Sequence, residues 1–270
     1  MKGWEGKTMI RYNYYFKIWK LMAKNAFLGW STNRNVFSVF LLGKLVRYIF
    51  YFGFLYFLVS GSGGFLNYSQ KQVLFVTATF IFVDTLAQFF FRSVYSFRSL
   101  VVSGDFDLIL VKPTNVLFRV LMGGPDPIDF VTLPPILFIL IWIGSTLNPT
   151  LLHTIYYILL ILNSLLIYAA FHILVISINV ITLQVDHLIE VFRDLSSMGR
   201  FPVGIYKGSL RAILTFIIPI GLMYTLPADS LSGVLTLQSF ITATLVGFMF
   251  FIGSLKFWNF ALKKYTSASS

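Results

Sequence analysis

Apolar residues in this chain come in long blocks separated by short polar turns, not in the period of two that marks a half-buried strand. Several blocks approach or exceed the roughly 18–20 residues that cross a bilayer as a helix. They cover about residues 36–60, 72–91, 128–147, 151–181 and 234–256. Before the first block, "YYFKIWKLMAKNAF" sets Lys17, Lys20 and Lys24 on one helical face and Tyr14, Ile18, Leu21 and Met22 on the other. That is the period of a basic amphipathic helix lying in a membrane surface. In "GGPDPIDF", Asp126 predicts an N-cap, Pro127 suits the first helical position and Asp129 reaches back from the first turn. Pro134 and Pro135 bend the third span or delay its start.

The fifth element has two readings. In the first, 182–209 is an amphipathic segment on the cytoplasmic side and 210–228 crosses the membrane. In the second, about 186–206 crosses, and 207–228 dips in from the far side as a helix broken at Pro219 and Gly221. Both predict an all-α polytopic membrane protein of six spans. Residues 1–35 form a cytoplasmic amino terminus with an interface helix, 36–257 the transmembrane domain and 258–270 a cytoplasmic tail, with a cytoplasmic loop at 92–127.

Composition agrees: 57% of the 270 residues are hydrophobic and only 11% charged, against about a quarter in soluble domains. The net charge of +11 does not point to nucleic acid, because the basic residues gather on one side of the spans. On the first reading 18 of the 21 Lys and Arg are cytoplasmic, two lie inside the first span and only Lys71 is outside. Anionic lipid and the positive-inside rule account for this arrangement. The early lysines and the absence of an apolar run before residue 36 do not read as a cleavable signal. Without cysteine there is no disulfide framework or thiolate chemistry.

Three charges fall within spans. Lys44 and Arg47 lie about 12 and 16 Å into the first, and Asp84 about 10 Å from the inner end of the second. An unpaired charge at mid-bilayer costs roughly 2.5–3.5 kcal/mol on insertion scales, so Asp84 is expected to neutralise Arg47 or Lys44. Asp186, Glu190 and Asp194 make an acidic stripe along one helical face. No histidine pair shares that face, so it does not read as a metal site. His153 reads as interfacial and His172 as a packing residue.

Catalytic signatures are missing. "GIYKGS" lacks the spacing of a nucleotide-binding P-loop, and neither H-E-x-x-H nor a nucleophile elbow occurs. No cofactor is expected on this chain. "SGDFDLILVKPTN" (103–115) is the outlier, a charged turn between apolar spans. A turn at Gly104, a short apolar element from Phe106 to Val111 and a stop at Pro113 make a compact knob whose apolar face needs a partner.

This passage resembles the "G-x-[LF]-D-x-x-L-x-K-P-x-N" loop of type-2 ABC exporter permeases, in the branch of small six-span subunits. "GRFPVGIYKGSLRAILTFIIPIGLMYTLPADSL" (199–231) is similar to that branch's "G-R-[YF]-P … I-Y … L-R … L-T-F-I-I-P … P-A" signature, carried here by Gly199, Arg200, Pro202, Tyr206, Arg211, Pro219 and Pro227. "FWNFALKKYTSASS" resembles its closing signature, with Ala261 where the branch often has Gly; Lys207 stands where it often has Pro. The resemblance implies a plasma-membrane exporter subunit with both termini cytoplasmic. It implies pairing with a sister permease or with itself, and two separate ATPase subunits that bind ATP and Mg. Gly104, Asp105, Phe106, Asp107, Leu110, Lys112 and Pro113 are then the ATPase-coupling residues, and the re-entrant reading of 207–228 is favoured. The aromatic spans suit an amphiphilic cargo such as a drug, a peptide antibiotic or a lipid. An ion-coupled secondary transporter and an integral lipid-modifying enzyme are the alternatives.

Overall fold

The computed structural model describes residues 2–62, 68–182 and 187–266. Helix α1 (Lys2–Ser31) leads through a two-residue turn into α2 (Arg34–Ser62). Helix α3 (Gln70–Phe91) starts on a capping box: Ser69 Oγ accepts from the Gln72 amide, and Gln72 Oε1 accepts from the Ser69 amide at 2.8 Å. Below α3, a 3₁₀ turn (Arg92–Ser96) and α4 (Phe97–Val102) carry the same helical run onward to Val102. Two further short helices, α5 (Asp105–Leu110) and α6 (Val116–Leu121), precede α7 (Pro127–Ser145). Asp126 caps α7, accepting from the Ile128 amide at 2.8 Å, with Pro127 at the first position where no amide is needed. Pro134 and Pro135 sit inside α7, which begins without delay.

Helix α8 (Leu151–Thr182) is the centre of the bundle, and α12 (Leu237–Lys263) packs along it. Small residues set that approach: Ala243, Gly247, Ser254 and Ala261 occupy the buried face of α12, and a Cβ on Gly247 would overlap the Asn163 amide of α8. Close packing of this kind is how helices associate without a hydrophobic force between them. Helix α2, by contrast, stands at the edge with Phe50, Phe54 and Phe57 exposed. Among the described residues, five helices are long and apolar enough to cross a membrane, and up to six if a bent pair counts as one.

The remaining stretch carries the fifth element. Helix α9 (Leu188–Ser196) lays Phe192 against Phe171, Tyr168 and His172, just past the middle of α8. Short 3₁₀ turns at Ser197–Arg200 and Val203–Ile205 follow. The Arg200 carbonyl accepts from Thr77 at 2.9 Å, and Gly204 packs on Tyr68, so the chain has climbed to the start of α3. This is the second reading. The chain then turns through α10 (Gly208–Ala212) and a π-helical turn (Ile213–Ile217). It bends by 69° around Pro219 and continues through a second π-helical turn (Gly221–Thr225) into α11 (Leu226–Leu231).

Breaks inside a bundle leave backbone groups that lipid cannot satisfy. Hydroxyls from neighbouring segments do so here. Thr225 Oγ1 accepts from the Val203 amide at 3.0 Å, Ser164 Oγ donates to the Met223 carbonyl at 2.7 Å, and Tyr206 donates to the Met198 carbonyl at 2.8 Å. Gly199 is fixed by space, since a Cβ there would overlap the fully buried Tyr224 ring.

Candidate functional site

The knob is built on a left-handed turn. Gly104 adopts φ 80°, a conformation glycine reaches without penalty, and α5 begins immediately after it. Ser103 Oγ donates to Asp105 Oδ2 at 2.7 Å, and both Asp105 and Asp107 lie in the first turn of α5, where negative charge is favoured. Phe106 points inward and is fully buried. Its ring meets Phe97 of α4 and Tyr265 of the tail edge-on, each at 5.1 Å between centroids. Tyr265 also donates to Asp107 Oδ1 at 2.9 Å. The carboxyl-terminal tail therefore clamps α5 from behind, a contact with no signal in local sequence.

With Phe106 and Ile109 turned in, Leu108 and Val111 turn out, 60% and 81% exposed. Leu110 is half-buried, whereas Lys112 and Pro113 are exposed. Beyond Pro113, Asn115 caps α6 by accepting from the Phe118 amide at 3.0 Å. Helix α1 reaches this segment: Tyr14 donates to the Pro113 carbonyl, the Asn115 amide donates to the Tyr15 hydroxyl at 3.2 Å, and the Tyr15 and Phe118 rings lie 5.0 Å apart. Ser93, at the foot of α3, donates to the Val120 carbonyl at 2.6 Å. Helix α1, the knob and the long α3 run are thus one connected body.

The intramembrane charges pair differently from the expectation. Lys44 takes Asp129 of α7 as its partner, and both are largely buried. Asp129 thus serves α2 and does not reach back to its own helix start. Asp84 is held by neutral donors, Gln88 Nε2 at 2.7 Å and Tyr168 at 2.6 Å, and Tyr168 receives the Tyr224 hydroxyl at 3.0 Å. Arg47 is exposed on α2 and lies over the Tyr48 ring at 5.4 Å. Depth alone leaves Asp84 within reach of either Lys44 or Arg47. The choice of partner follows from α7, which brings a carboxylate to Lys44. Asp126, the cap of α7, pairs with Arg92 at 3.3 Å.

Of the acidic stripe, Asp186 lies outside the described residues. Glu190 accepts from His187 at 2.9 Å, and Glu190 and Asp194 both face away from the bundle, opposite the buried Ile189 and Phe192. The other signature residues form the turn at the far end. Arg200 lies over the Tyr51 and Phe80 rings, Pro202 is buried, and Pro219 marks the bend. Pro227 begins α11, while Arg211 is exposed. At that end Tyr68 donates to Asp229 at 3.4 Å. Burial, reinforced by the Asp229 carboxylate, pushes the Tyr68 phenol up to about 12, so it stays a donor at neutral pH. His172 is buried among Phe91, Tyr168 and Phe192, with Nδ1 donating to the Tyr168 carbonyl at 2.9 Å. His153 packs against Gly233 at the same end as Tyr68.

No curated protein and no solved structure matches the chain. A family profile described as ABC-2 family transporter protein matches residues 45–269, which takes in the knob, the polar network and the broken fifth element. The chain belongs to the ABC-2 transporter family, as a membrane permease component.

Proposed function

We propose that this chain is the membrane subunit of an ATP-driven exporter and that the knob at 103–115 is the contact through which separate ATPase subunits move it. The observation that carries the proposal is the geometry of α5: a helix clamped from behind by Phe97, Phe106 and Tyr265 that presents Leu108 and Val111 outward. A rigid apolar tip at the end of a bundle is suited to receive a push from a cytoplasmic motor. Force applied there passes along the helical run of residues 70–102 to the level of Asp84, and through Tyr14 and Tyr15 to the interface helix. ATP and Mg belong to the partner ATPases, whose closure and reopening reorient the spans in alternating access.

The knob end is cytoplasmic in this account, consistent with the lysines of α1 and with Arg92, Arg98, Lys112 and Arg119 beside it. The membrane is the plasma membrane, and both termini face the cytoplasm. A second permease, a sister chain or a second copy, covers the intramembrane face that leaves Arg47 exposed, since a charge at that depth needs protein or water around it. The cargo is an amphiphile.

The test is purification of the tagged chain from native membranes in mild detergent, followed by assay for vanadate-sensitive ATPase activity. A co-purifying ATPase that is lost when Asp105 and Lys112 are changed together, with the chain still folded, is the expected result. A stable chain whose ATPase is indifferent to both residues would remove the proposal. Orientation has its own check: a cysteine at Lys207 should react with an impermeant maleimide added outside intact cells. Labelling only after lysis would reverse the assigned sides.

A further inference from the structure

A second feature lies away from the knob, between three of the long helices. Helices α2, α3 and α7 enclose a groove of about 600 Å³. Along α7 and the residue that follows it the lining runs from Thr132 to Thr146, and on α2 from Leu45 to Tyr56. At a rise of about 1.5 Å per residue these intervals span roughly 21 and 16 Å. One leaflet of hydrocarbon is about 15 Å deep, half of the ~30 Å core. The groove is therefore long enough for a complete acyl chain lying parallel to the helices.

Its two ends differ in chemistry. The inner end closes on Tyr48, which is hydrogen-bonded to Thr85 at 3.0 Å, one turn from the Lys44–Asp129 pair. The outer end opens beside Lys71 in the first turn of α3, with Trp142 and Tyr56 flanking it. Lys71 is exposed and, among the described residues, forms no ion pair. Trp and Tyr rings favour headgroup level, and an ammonium there attracts phosphate. The walls between are apolar, including Phe52, Ile136 and Ile139.

We propose that this groove is a specific site for one anionic phospholipid of the leaflet at the Lys71 end, with an acyl chain between α2 and α7 and the headgroup phosphate on Lys71. The lipid fills the space that leaves α2 standing off from the bundle. The site is independent of the coupling surface, because its lining shares no residue with 103–115.

Native mass spectrometry of the full-length chain in mild detergent, with phosphatidylglycerol or phosphatidylcholine added, tests this directly. Wild type should retain one phosphatidylglycerol per chain at collision energies that strip phosphatidylcholine. Lys71→Glu should lower phosphatidylglycerol retention about tenfold, to the phosphatidylcholine level, as expected for loss of a charge-assisted contact. Ile136→Trp, which fills the groove, should lower retention of both lipids while Lys112→Glu changes neither. Equal retention of the two lipids by wild type would mean annular lipid only, and an unchanged preference in Lys71→Glu would also overturn the proposal. So would a disulfide between two copies each carrying a cysteine at Phe52, which would put a second chain in the groove.

Discussion

Two regions of this molecule are assembled from short helices, the segment 97–121 that carries the knob and the broken fifth element at 188–231, and they solve the same backbone problem in different ways. The knob lies at the end of the bundle, so its helix ends are satisfied locally, with Asn115 accepting from the Phe118 amide and Ser103 Oγ from the Asp105 amide, and by water. The fifth element runs through the bundle, where its breaks are met by side chains of α3 and α8 and of its own more distant turns. Thr77 of α3 and Ser164 of α8 meet carbonyls at Arg200 and Met223, and Thr225 meets the Val203 amide. One region can therefore tolerate local change, whereas the other is tied to distant residues.

The two glycines at the heart of these regions break the comparison most sharply. Gly199→Ala drives a methyl into the Tyr224 ring and should cost about 3 kcal/mol, seen as a large fall in melting temperature in detergent. Next in size, Thr77→Val and Ser164→Ala each strand a buried carbonyl and should cost about 1–3 kcal/mol in the same assay. Gly104→Ala meets open space and costs only its positive φ, about 1–2 kcal/mol. Ser103→Ala, which removes an exposed bond to the Asp105 carboxylate, should fall within about 0.5 kcal/mol of wild type. Equal effects of Ser103→Ala and Ser164→Ala would erase the distinction between the regions.

Much of this was legible in the sequence. Apolar windows placed the spans to within a few residues at most of their ends, because a bilayer demands long uninterrupted helices. Asp126 and Pro127 announced the start of α7, and Gly104 and Pro113 bounded the knob, because caps and turns are chosen by local backbone chemistry. Partnerships between elements were not legible. Depth along a span says how far a charge is buried, not which way it faces, so it points Asp84 at Arg47 or Lys44, while the partner of Lys44 is Asp129 on a third helix. Nothing local marks Tyr265 as the residue that clamps α5, or Tyr168 as the donor to Asp84. The fifth element stayed ambiguous because the hydroxyls that permit its breaks lie far from them in sequence, on α3, on α8 and in its own later turns.

The central claim is that the outward face of α5 is where a motor docks. A photo-cross-linking residue placed at Val111, in native membranes, tests it most directly. The account predicts an adduct with an ATP-binding subunit that disappears in a Leu108→Asp background while the chain stays folded. An adduct unaffected by Leu108→Asp, or Val111 cross-linking only within its own chain, would contradict it.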